Sequence, residues 1–301
     1  MNNAQQTHFN SLYNRHVSAL HRQGKAKTTI DVYSRAVRRI TEFFDQCPDQ
    51  LTEDQLKDYF TALVKSHSWS TVKTDRNGLQ FFYTHVLNKR WTWIDIIKPP
   101  RTKTLPDILT VAEVERLING ARERRYQTFI LTTYSMGLRL GETLNLQVGD
   151  IDSERMKAHI RCGKGRKDRF VTLPKSSLLA LRAYWVTHRH PTLLFPAGKR
   201  SAIRHSSPKV MDRGGLQKAI KVIANDCRIH KPITIHSLRH SYGAHLVETG
   251  VNLRAIQQEM GHECPKTTAL YTQLTDVTQQ NTGKLINRLL DRLSLTFIDE
   301  V

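Results

Sequence analysis

With 301 residues and 39% hydrophobic side chains, the chain is long and apolar enough for two packed domains, which excludes a disordered tail. Lys and Arg number 46 against 27 Asp and Glu, a formal net charge of +19 with a pI of about 10.0. That excess favours a polyanionic partner through counterion release, with a ribosomal-type RNA binder or a merely solvated basic surface as the competing readings. No stretch approaches the ~18 apolar residues of a membrane helix, and the polar start MNNAQQTHFNSLYNRH lacks a signal-peptide core. Cys47, Cys162, Cys227 and Cys264 have neither zinc-ligand spacing nor a disulfide framework. The expectation is a soluble intracellular protein without a membrane or metal partner.

Residues 1–95 read as a helical domain. Phe9, Leu12, Tyr13, Val17 and Leu20 recur at helical spacing, and Ile30, Tyr33, Val37, Ile40 and Phe44 make an apolar stripe over 28–44. Thr52 and Gln55 form a capping box ahead of Leu56, Tyr59, Phe60 and Leu63. A fourth helix is expected over 70–87, carrying Val72, Leu79, Phe82, Tyr83 and Val86. Arg35, Arg38, Arg39, Lys65, Lys73 and Arg76 are either phosphate contacts or ordinary solvated charges. Residues 96–106 (IIKPPRTKTLP) read as a basic linker, interrupted by Pro99, Pro100 and Pro106.

Residues 107–301 read as a larger mixed domain. A helix should begin after Thr110, which caps Val111 with Glu113 close behind, and another should cover 126–135. A short β-meander follows, with strands at 159–162 and 170–173 around the turn Gly163-Lys164-Gly165-Arg166-Lys167-Asp168. Helices resume from Ser176. There is no internal repeat and no low-complexity tract.

Four separated clusters carry candidate chemistry: Gly137-Leu138-Arg139-Leu140-Gly141-Glu142, the turn holding Lys164, His236-Ser237-Leu238-Arg239-His240, and Gly261-His262 followed by Tyr271. They supply what phosphoryl transfer without a metal requires. The planar forks of Arg139 and Arg239 suit a phosphodiester that gains charge. Lys164 suits a general acid, and His236 and His262 suit proton transfer or hydrogen bonding. A tyrosine phenol, with an ordinary pKa of ~10, needs cationic neighbours to act as a nucleophile. Tyr271 has them only if the fold gathers the clusters. Taken singly, each cluster has a structural reading: Arg139 paired with Glu142 on a surface, Lys164 in an exposed hairpin, His236 and Arg239 sharing one helix face, Tyr271 a buried aromatic.

In order and content these boxes resemble the tyrosine recombinase (phage integrase) family: an Arg in G-L-R-x-x-E, a Lys on a β-hairpin, H-x-L-R-H, G-H, and a Tyr shortly after. The resemblance spans 107–301. The N-terminal helices are similar to that family's core-binding domain, and GKGRKDRFVTLP and HSLRHSYGAHLVETG look Xer-like or integron- and transposon-like. Met136 and Gly141 stand where Thr and Ser are common, and Gln273 where many members have His. Lys167 rivals Lys164, which is favoured because it stands at the G-K-G lysine.

The resemblance implies a mainly α fold with a small β-meander, arranged as a two-domain C-shaped clamp around duplex DNA. It implies a 3′-phosphotyrosine at Tyr271 with a free 5′-hydroxyl, and a stored bond that needs neither ATP nor metal. Arg139, Arg239 and His262 would stabilise charge, Lys164 would protonate the leaving oxygen, His236 would assist proton transfer, and Glu142 and His240 would support the shell. Four protomers on two DNA sites are implied, with a partner recombinase or DNA-bending accessory protein as possible company, at a bacterial nucleoid. The segment 284–293 (KLINRLLDRL) either docks on a neighbouring subunit or packs on its own domain. The alternatives are a non-catalytic DNA binder on the same fold, a type IB topoisomerase, and an HUH nickase built on His188-Arg189-His190. The last fits poorly because arginine replaces the apolar middle residue.

Overall fold

The computed structural model describes residues 1–91, 106–161, 168–198 and 200–273. The chain divides into two compact units, Met1–Lys103 and Thr104–Val301.

Among the described residues, the first unit contains four α-helices, α1 (Asn3–Arg22), α2 (Lys27–Phe44), α3 (Glu53–Ser66) and α4 (Trp69–His85). Their starts are set by caps: the Asn2 side chain accepts from Gln5 N, Thr52 and Gln55 close the expected box, and Ser68 accepts from Thr71 N. Leu20, Val37, Ile40, Phe60, Leu79 and Phe82 form the core. α2 and α4 approach closely at Gly78, where a Cβ would lie 3.0 Å from that of Ala36. Buried Asp75 accepts from Arg39 Nη1 (2.5 Å) and the Tyr59 hydroxyl (2.8 Å). Arg39 is therefore committed inside the unit, and Arg38 lies over the Tyr13 ring at 5.4 Å. Two of the basic residues singled out in the sequence thus have internal partners.

The second unit is mainly helical around a small sheet. It runs α5 (Val111–Asn119), α6 (Arg124–Ser135), α7 (Leu140–Leu144), β1 (Ile151–Asp152), β2 (Lys157–Ile160), β3 (Arg169–Thr172), α8 (Lys175–Trp185), α9 (Ser201–His205), α10 (Arg213–Asp226), α11 (Ile235–Glu248), α12 (Leu253–Met260) and α13 (Pro265–Ala269). A 3-10 turn over Leu270–Gln273 follows. α6 packs against α5, α8 and α11, and Phe129, Ile130, Leu138, Phe195 and Leu238 are fully buried around it.

The meander is antiparallel in the order β1-β2-β3, with His159 opposite Phe170 and Ile160 opposite Arg169. β2 starts two residues before its expected place, because Ala158 and Ile160 both turn inward and their alternation sets the register. The turn holding Lys164 and Lys167, the linker up to residue 105 and the segment 284–293 lie outside the described residues. Among those described, no helix is long and apolar enough to cross a membrane.

Candidate active site

Two glycines with positive φ explain why the boxes read as they do. The turn that follows α6 holds Gly137 (φ +57°), and Gly261 (φ +60°) caps the end of α12. A side chain at Gly137 would run into the Tyr242 ring, 2.5 Å from an added Cβ. These turns present backbone carbonyls to guanidinium groups. Arg239, on α11 and only 3% exposed, donates to Gly137 O at 2.5 Å and to Met260 O. Arg139, just before α7, donates to Gly261 O at 2.9 Å.

Glu142 joins the cluster. Its carboxylate accepts from Arg139 N (2.9 Å) and Arg139 Nη1 (2.7 Å), and lies 3.9 Å from Arg239. It also receives both terminal nitrogens of Arg169 on β3, each at 2.9 Å. Burial alone would raise this carboxyl, but the Arg169 and Arg139 hydrogen bonds outweigh it and hold it at about 2. Burial, then the neighbouring Arg139 charge, lower Arg239 to about 10, so it stays protonated near neutral pH. Three guanidinium groups thus share one carboxylate, leaving a net positive pocket.

The histidines and the tyrosine stand around this cluster. His236 sits in the first turn of α11 with its side chain exposed, its pKa lowered by desolvation and by the Arg239 and Arg139 charges. His240, one turn on, has its ring centroid 5.6 Å from that of His236, and burial lowers it to about 4. His262 Nδ1 meets the buried Thr268 hydroxyl at 2.9 Å, and burial with the two arginine charges lowers it to about 3. All three rings are neutral near pH 7.

Tyr271 is fully buried, with its hydroxyl 3.2 Å from His240 Nδ1. Burial pushes the phenol up to about 12, while Arg239 and Arg139 pull the other way. Gly243 lets the ring in, since an added Cβ there would lie 2.5 Å from it. Gly243→Ala is therefore expected to displace the Tyr271 ring, an overpacking that costs about 1–3 kcal/mol. A thermal melt beside wild type would check it.

The structure brings together seven of the eight residues singled out in the sequence: Arg139, Glu142, His236, Arg239, His240, His262 and Tyr271. Lys164 lies outside the described residues. Arg169 was missed: it falls one residue before the strand expected at 170–173, and no local pattern reports its carboxylate partner 27 residues away. His188 and His190 are buried elsewhere, after α8. His190 Nδ1 accepts from Thr192 N and Leu193 N at 3.0 and 2.8 Å, a loop-holding role. In the first unit His8, Cys47 and Asp49 bring metal-ligand-type atoms within 4.8 Å, a proximity their sequence spacing did not reveal.

The phage integrase family profile matches residues 107–277, and the profile of a phage integrase N-terminal SAM-like domain matches 12–93. A putative integrase/recombinase of Sinorhizobium fredii, y4qK, is 33% identical over 80% of this chain and 77% of its own. Tyrosine recombinase XerA of Pyrococcus horikoshii is 31% identical, over 84% of this chain and 85% of its own. In fold, the chain is similar to a lambda integrase tetramer bound to a Holliday junction, with a TM-score of 0.68 and 14% identity over 87% of this chain and 76% of that one.

Proposed function

The chain belongs to the phage integrase family of site-specific DNA recombinases, enzymes that break and rejoin DNA, and from that premise we propose that it cuts through a 3′-phosphotyrosine at Tyr271. The observation that carries the reading is the pocket itself, three guanidiniums around one carboxylate beside a buried tyrosine and three neutral histidines. A phosphodiester supplies the missing anion. Arg139 and Arg239 hold its non-bridging oxygens, and their charge grows in value as the phosphorane forms. The Thr268 hydroxyl bonds His262 Nδ1 and fixes the ring, leaving Nε2 to donate to phosphate.

The Tyr271 oxygen attacks phosphorus as its phenol proton passes to the neutral imidazole of His236, the P–O5′ bond breaks, and Lys164 gives its own proton to the departing 5′-oxygen. His236 assists proton transfer, while Glu142 and His240 hold the arginines and the phenol in place. A 5′-hydroxyl of the partner strand then attacks the phosphotyrosine and releases Tyr271. One phosphoester replaces another at each step, so neither ATP nor a metal is called for. The lambda integrase complex supports assembly of this chain as a homotetramer on two synapsed sites.

Nicked suicide substrates test the reading, because loss of a short 5′-hydroxyl fragment traps the intermediate. Wild type in EDTA should form a denaturation-resistant adduct whose DNA-bearing peptide contains Tyr271. An adduct on another residue, or one that needs a divalent metal, would overturn it.

A further inference from the structure

Arg169 lies in the GKGRKDRFVTLP segment but is none of the residues to which a role was assigned there, yet among the described residues it makes the most hydrogen bonds of the three guanidiniums in the pocket. It stands at the start of β3 opposite Ile160, with its side chain 13% exposed. Its two terminal nitrogens meet the two oxygens of Glu142 at 2.9 Å each, and Nε donates to the Glu259 carbonyl at 3.2 Å. A planar fork on a carboxylate fixes the direction of that carboxylate as well as its charge.

The surroundings are built around this fork. Gly261 leaves it room, since an added Cβ would lie 2.9 Å from Arg169 Cδ. At the far end of the same strand, the Glu259 carboxylate accepts from Thr172 N at 2.9 Å and from its hydroxyl at 2.7 Å. β3 is thus fastened at both ends to the last turn of α12, whose end also supplies the carbonyls that hold Arg239 and Arg139.

Among the described residues, Glu142 is the candidate site side chain that Arg169 hydrogen-bonds, and Glu142 in turn holds Arg139 through backbone and side chain. We propose that Arg169 is a positioning residue for cleavage: it locks the Glu142 carboxylate in one orientation, and through it aims Arg139 at the scissile phosphate. The inference rests on the phosphotyrosine reading above. It assigns Arg169 an effect on the chemical step that is separate from DNA affinity and from folding. Lysine keeps the charge but offers a single point donor, so it cannot reproduce the two parallel bonds.

The test compares wild type, Arg169→Lys, Glu142→Gln and the double variant on the same suicide substrate. It measures single-turnover adduct formation at saturating DNA, the Kd for uncut DNA, and Tm. Arg169→Lys should slow adduct formation by ~10–100-fold, with Kd changed by less than about twofold. In the Glu142→Gln background the same substitution should cost less than about threefold, because residues acting in series are not additive. A normal rate in Arg169→Lys, or a loss that appears equally in both backgrounds, overturns the proposal. So does a loss that follows Kd or Tm alone. Wild type without a Tyr271 adduct would instead remove the phosphotyrosine reading, and this inference with it.

Discussion

Tyr271→Phe is expected to give a folded protein that binds DNA and forms no covalent adduct with it. The substitution removes one oxygen and keeps the ring, which is packed against Gly243, Ile256 and Met260. The hydroxyl's hydrogen-bond partner is His240 Nδ1 at 3.2 Å. Loss of such a bond costs about 0.5–1.5 kcal/mol, so Tm should move by only a few degrees. The chemistry has no substitute: without the phenol oxygen no bond to phosphorus can form, and adduct formation should fall by at least ~10⁴-fold. Denaturing gels of trapped complexes, gel shifts and thermal melts read the three quantities separately. A residual adduct would reassign the nucleophile, and lost DNA binding would mean that the hydroxyl holds the fold.

Much of this was legible in the sequence because the signals are local. Thr52 and Thr110 announce helix starts through caps that close within three residues. The apolar stripes of the first unit needed nothing beyond helical period. The candidate site was legible by content, since arginines, histidines and a tyrosine in that order suit few other chemistries. Its wiring was not. Arg139 meets the Gly261 carbonyl across 122 residues of chain, and Arg239 meets that of Gly137 across 102. No periodicity reports such pairings. Backbone carbonyls carry no residue signature at all, so the sequence shows two glycines where the structure shows two positive-φ turns aiming acceptors at guanidiniums. Arg169 escaped for a related reason: a strand arginine next to an exposed phenylalanine reads as a solvent-facing charge until its carboxylate is found 27 residues away.

The same wiring makes Glu142 the residue whose loss should cost most in stability. Glu142→Ala leaves Arg139, Arg169 and Arg239 facing one another without their shared anion, two of them nearly buried. Breaking a buried ion pair from one side typically costs ~3–5 kcal/mol, which for a unit of this size lowers Tm by about 6–20 °C. Glu142→Gln keeps the volume and one acceptor and isolates the charge. Hydrogen bonds from Arg169 and Arg139 outweigh burial and hold the folded carboxyl at about 2, against an ordinary 4.5. Its contribution, ~3 kcal/mol on that difference, is fully present above pH 4.5 and is lost as pH falls toward 2. The histidines act in another window. His240 and His262 are lowered to about 4 and 3, so the fold keeps them neutral while the unfolded chain takes up protons below 6.5. Their contribution is present above 6.5 and declines as pH falls below it, equally in wild type and variant. Chemical denaturation of both proteins from pH 7 to pH 3 should therefore show a constant stability gap down to about 4.5, then a narrowing one. A gap that stays constant to pH 3 would mean that the carboxylate is not held by its arginines, and the anion-centred account of the pocket would fail with it.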